Sequence, residues 1–138
     1  MTVTELDREL PNGFHDAQVR TIAVDFVARI VTIGLDLWSG SMDQPRGGGR
    51  ETYRAAMLEL RGLGYVVMEP PDARSSGAAA KPVRIDLCEV AASNNLPPPQ
   101  AGAFVSRFFV QDWNAFITVS ALDASLNWNG EPIVRGPD

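Results

Sequence analysis

Cysteine, histidine and lysine each occur once in this chain, as Cys88, His15 and Lys81. A lone cysteine excludes an intrachain disulfide. One histidine and one cysteine among scattered acids show no metal-ligand spacing, so neither a metal site nor a cofactor is expected. Positive charge is scarce as well: 12 Lys plus Arg stand against 17 Asp plus Glu, a net charge of −5. Binding phosphates needs a concentrated basic surface, which argues against nucleic acid as the main partner. The imbalance is even, with seven Arg and ten acids in residues 1–69 and five basic and seven acidic residues in 70–138. No apolar run approaches the roughly 18 residues that span a bilayer. Met1–Asp7 has no basic region followed by an apolar one. The expectation is a cytoplasmic protein without a membrane partner.

What is present suits one domain, 1–138, with a real core: 45% of the residues are hydrophobic. Thr2–Leu10 reads as a short helix or a frayed tail, with Thr2 or Thr4 as N-cap and Pro11 as the stop. A Pro11-Asn12-Gly13 turn follows. Gln18–Val27 and Ile30–Trp38 then alternate between apolar and polar residues, the pattern of half-buried strands. Apolar positions are even-numbered in the first and odd-numbered in the second. A hairpin pairing residues that sum to 57 satisfies that parity, with Phe26 against Val31 and Val24 against Ile33. Ala28-Arg29 is poor chemistry for a two-residue turn, so a four-residue loop is expected.

Ser39–Gly49 and Ala73–Lys81 are small and polar and read as mobile loops. Arg50–Gly62 suits helix or strand, and one long strand kinked at Gly62–Gly64 is preferred. Glu69-Pro70-Pro71-Asp72 ends pairing. Pro82–Val90 is a further strand, in which Cys88 is expected to behave as a small buried hydrophobe rather than a nucleophile. Pro97-Pro98-Pro99 is a stiff connector. Ala103–Val110 and Ala115–Ala121 form a second hairpin with a pairing sum of 225, which sets Phe108 against Ile117 and Phe109 against Phe116. A bend near Asp123 follows, and Gly130–Asp138 is a tail. The fold class expected is mostly all-β: an antiparallel sandwich or curved, partly closed barrel of six or seven strands, with at most one or two short helices.

The candidate chemistry centres on His15, the one side chain whose ordinary charge change lies near neutrality. A hydrolase would use it as a general base oriented by a carboxylate. Asp16 cannot play that part if both residues are extended, because neighbours in a strand point to opposite faces. Asp25 and Asp36 could reach His15 only through tertiary packing. The structural alternative makes Asp16 an acceptor for backbone N–H groups and His15 a cap on the sheet edge. Among the tryptophans, Trp38 and Trp128 are expected to close the core. Trp113, in the Asp112-Trp113-Asn114 turn, is the better candidate for an exposed contact. His15, Asp16, Asp112, Trp113 and Asn114 are therefore the candidate binding residues, with no catalytic residue assigned.

Leu10-Pro11-Asn12-Gly13-Phe14-His15-Asp16-Ala17, Asp36-Leu37-Trp38-Ser39-Gly40, Val67-Met68-Glu69-Pro70-Pro71-Asp72 and Asp112-Trp113-Asn114-Ala115-Phe116-Ile117 resemble a group of small uncharacterised bacterial proteins with an N-terminal Phe-His-Asp-Ala motif. The opening is similar to that of predicted immunity proteins, which neutralise toxins used between competing bacteria. The resemblance implies a non-enzymatic binding protein whose acidic surface covers a toxin partner. The alternatives are a small-ligand binder with its pocket at the sheet mouth, and a hydrolase-like enzyme using His15.

Overall fold

A computed structural model describes residues 1–39, 51–72, 82–90 and 95–135. The expected mobile loops lie, apart from Ser39, outside the described residues. The chain begins with helix α1, Val3–Glu9. Its first turn is closed by a capping box: the Glu5 amide donates to the Thr2 hydroxyl at 3.1 Å, and the Thr2 amide donates to the Glu5 carboxylate at 2.6 Å. Val3 and Leu6 face the core, and Pro11 follows the last turn.

The rest is one antiparallel sheet of eight strands, not closed into a barrel. In chain order these are β1 (Ala17–Asp25), β2 (Ile30–Trp38), β3 (Glu51–Arg61), β4 (Tyr65–Met68), β5 (Val83–Cys88), β6 (Phe104–Val110), β7 (Ala115–Ala121) and β8 (Asp123–Arg135). A 3-10 turn, Gln111–Trp113, joins β6 to β7. The spatial order is β4-β7-β6-β5-β1-β2-β3-β8. The count exceeds the expected six or seven because Glu51–Met68 divides into two strands with different neighbours. In addition, β8 continues to Arg135 through residues read as a tail, with Ile133 opposite Tyr53.

The division at Gly62-Leu63-Gly64 is the main corner of the sheet. β3 pairs with β8 on one side of it and β4 pairs with β7 on the other, so a single bent ribbon links the two ends of the sheet. Hydrogen bonds continue through the bend, from Leu122 N–H to Arg61 O at 2.9 Å and from Gly64 N–H to Ser120 O at 2.7 Å. Gly62 takes φ +68, and a Cβ there would lie 2.7 Å from Leu122 Cδ1. The curl brings Leu58 and Leu60 of β3 into one core with Phe108 and Val110 of β6 and Val119 of β7, and α1 adds Val3 and Leu6.

The β1–β2 hairpin forms, but its register differs from the expected one. Val24 opposes Val31 and Ile22 opposes Ile33, a sum of 55 rather than 57. A two-residue slip keeps every apolar position on its face, so parity alone does not choose between the two. The turn chooses. Asp25 accepts the N–H groups of Val27 and Ala28 through its side chain, and Arg29 adopts a left-handed conformation at φ 57. Phe26 and Val27 are thereby pushed into solvent at 83% and 97% exposure. A bulge between Val19 and Thr21 also shifts the inward phase, from Ala17 and Val19 to Ile22 and Val24. The β6–β7 hairpin has the expected register, with Phe108 opposite Ile117 and Phe109 opposite Phe116. The rings of that second pair lie 5.1 Å apart.

Candidate functional site

The segment between α1 and β1 is a compact turn rather than the first residues of a strand. Gly13 N–H donates to Leu10 O, His15 N–H to Asn12 O and Ala17 N–H to Phe14 O. Gly13 is required here: it sits at φ +57, and a Cβ would come within 2.5 Å of Asp7 Oδ1. That oxygen accepts the Phe14 amide at 2.8 Å. Asn12 holds the other side by donating to Trp38 O at 3.0 Å. Phe14 is fully buried and meets Phe108 edge-on at 6.2 Å. With Phe14 fixed inward, His15 is thrown outward, and its side chain is 60% exposed.

Asp16 has φ 53, so strand alternation does not apply to it, and β1 starts one residue later. His15 and Asp16 consequently lie on the same side, with His15 Nε2 3.7 Å from Asp16 Oδ2. This corrects the expectation of opposed side chains. The partner that completes the group is Asp86 of β5, a residue the sequence reading did not single out. Its Oδ1 lies 2.8 Å from His15 Nδ1 and accepts the Asp16 amide at 3.1 Å. An acceptor for the backbone at the start of β1 is thus Asp86, which takes the Asp16 amide. The signal available was a charged residue in the middle of the alternating Val83–Cys88 strand.

Gln111, at the start of the 3-10 turn, was also missed. Its side-chain amide donates to Asp16 Oδ1 at 3.0 Å and to Asp86 Oδ2. The turn that carries Gln111 also carries Asp112, Trp113 and Asn114, so the two halves of the sequence-derived site come together on one rim. Asp112 accepts the Arg84 amide at 2.7 Å, with its other oxygen 3.5 Å from the Arg84 guanidinium. The Trp113 carbonyl accepts the Asp72 amide at 2.8 Å, and Asn114, left-handed at φ 49, donates to the Asp72 carboxylate at 3.4 Å. Glu69 exchanges hydrogen bonds with the backbone of Phe116. The Glu69-Pro70-Pro71-Asp72 strap thus runs along the same rim.

Trp113 is only partly exposed, its ring packed against the core. Trp38 does close the core at 5% exposure, and Trp128 packs against it half-buried beneath the Arg54 guanidinium. The other carboxylates considered for His15 are engaged elsewhere, Asp25 in its turn and Asp36 with Arg20. An open cleft of about 470 Å³ lies beside the turn between α1 and β1, lined by Asp7, Asn12, Gly13, His15, Asp86 and Leu87 among others.

The arrangement has two chemical capacities. The carboxylates favour a cationic group, and one ligand atom each from His15, Asp16 and Asp86 lies within 4.8 Å of the others. The premise that no ligands cluster therefore does not hold. The His15–Asp86 pair also has the orientation a general base needs, although the described partners of His15 are carboxylates rather than a hydroxyl or thiol. Compared with known proteins, the chain matches no family model, no curated protein and no solved structure.

Proposed function

We propose that this chain is a non-enzymatic binding protein of the immunity type, which neutralises a partner toxin by laying an acidic rim over a basic surface. The observation that supports this is the continuity of the rim. Asp16 and Asp86 are joined through Gln111 to the turn carrying Asp112, that turn is joined through Trp113 and Asn114 to Asp72, and the exposed Glu69 is held alongside by the backbone of Phe116. Backbone hydrogen bonds hold most of these carboxylates in place, so little side-chain entropy is lost when a partner docks. The excess of acid at this rim, net of the Arg84 guanidinium that faces Asp112, also speeds encounter with a basic partner and disfavours an acidic one.

The test is a pull-down from the native host with the wild-type chain and with a Glu69→Lys/Asp72→Lys variant. The expected result is a stoichiometric basic protein retained by the wild type, released by raised salt and absent with the variant. Recovery of no stoichiometric protein, or of the same proteins by both chains, would overturn the reading.

A further inference from the structure

We propose that His15, Asp16 and Asp86 form a binding site for a divalent transition-metal ion of the zinc type, with Gln111 as the residue that positions the two carboxylates. Each of the three offers one ligand atom, and these atoms lie within 4.8 Å of one another. Bonds of about 2.0–2.2 Å to nitrogen and oxygen place ligand atoms about 3–3.5 Å apart, so the widest pair must close by about 1–2 Å, which rotation of the exposed His15 side chain can supply. Gln111 engages Asp16 Oδ1 and Asp86 Oδ2, one oxygen from each carboxylate. The other two oxygens face the imidazole at its two different nitrogens: Asp86 Oδ1, which also accepts the Asp16 amide, lies 2.8 Å from Nδ1, and Asp16 Oδ2 lies 3.7 Å from Nε2. The ring must therefore turn to present one nitrogen to an ion between the carboxylates. An outer residue that ties off one lone-pair set and aims the other is the usual support of a metal ligand.

Charge argues the same way. Two carboxylates share one neutral amide donor, and the described partners of Asp86 are His15, the Asp16 amide and Gln111, with no lysine or arginine among them. Like charges held together are relieved by a cation between them. One imidazole with two carboxylates suits a zinc-type ion better than magnesium or calcium, which take oxygen ligands alone. The cleft of about 470 Å³ beside His15 leaves room for water to complete the coordination.

This goes beyond the partner reading and does not depend on it, because the test uses the isolated full-length chain. After chelator treatment, zinc chloride or magnesium chloride is titrated into the protein by calorimetry, and thermal unfolding is followed in parallel. One zinc ion per chain is expected, with a rise in midpoint temperature that magnesium does not produce. His15→Ala, an exposed change that leaves the fold intact, should weaken zinc at least 10-fold, and Asp86→Asn at least as much. Gln111→Leu should weaken it about 10–100-fold while keeping all three ligands. Zinc binding undiminished in His15→Ala and Asp86→Asn, or no binding by the wild type, would overturn the proposal. Cys88→Ser should leave the titration unchanged; loss of binding there would assign the ion to the thiol instead.

Discussion

Replacing Phe14 by alanine should be among the most damaging single changes in this protein, because Phe14 joins the site to the core. Its side chain is fully buried and meets Phe108 edge-on at 6.2 Å. Truncating a buried phenylalanine costs about 3–5 kcal/mol, counting both the lost transfer energy and the cavity. The aromatic pair accounts for about 0.5–1.5 kcal/mol within that loss. Against a total stability of about 5–15 kcal/mol, the change removes a large fraction and lowers the midpoint temperature by about 10 °C or more. Phe14→Leu retains most of the apolar volume and should cost only about 1–2 kcal/mol. Urea unfolding of the three proteins measures this, with an unchanged slope showing that the same surface is exposed in each. A loss under about 1 kcal/mol for Phe14→Ala would refute the idea that the core anchors the turn.

Three further outcomes test other parts of the fold. Gly62→Ala must hold a side chain at φ +68 and displace Leu122, whereas Gly102→Ala meets the same backbone restriction at φ +78 in open space. The backbone part is about 1–2 kcal/mol in each; chemical denaturation should show the larger loss at Gly62, and Leu122→Ala in that background should recover only part of the difference, because the Leu122 Cβ itself lies 2.8 Å from the added methyl. Tyr65→Phe should be neutral or stabilising at pH 7, because the phenol oxygen is buried without a hydrogen-bond partner. Burial pushes the Tyr65 phenol above its ordinary value of 10.0. Ionisation therefore costs nothing below the unfolded value and lowers stability as pH rises from there through the folded one, a fall that thermal melts across the alkaline range should show to be larger in the wild type than in Tyr65→Phe. Arg20→Met should cost about 1–2 kcal/mol by thermal unfolding: it removes the guanidinium that pairs with the Asp36 carboxylate, 4% exposed, but Arg20 itself is half-exposed and already screened.

Much of the fold is legible in the sequence because alternation reports which face of a strand is buried. That is why both hairpins and the pairing of Phe109 with Phe116 could be anticipated; the helix, left open against a frayed tail, was signalled instead by a Thr cap and Pro11. Alternation is blind to slips of two residues, and at the β1–β2 turn the choice fell to the Asp25 side chain and the left-handed Arg29. Phe26 misled for the same reason: its hydrophobicity suggested a core position, while turn geometry put it in water. The site was harder to read. Strand parity was applied to His15 and Asp16 one residue before the strand begins. Asp86 lies 70 residues beyond Asp16, so only tertiary pairing of β5 with β1 brings the two together. Trp113 seemed exposed because it sits in a polar turn, yet a 3-10 turn folds its ring back onto the core.

The central claim is that Asp86 joins the Phe14-His15-Asp16 turn into one site. Nuclear magnetic resonance of the His15 ring nitrogens tests it most directly. With Nδ1 at 2.8 Å from a carboxylate oxygen, the neutral imidazole should carry its proton on Nδ1 in the wild-type protein. Asp86→Ala should shift the ring toward the Nε2–H tautomer while the amide spectrum of the core strands stays folded. The same tautomer mixture in both proteins would contradict the account.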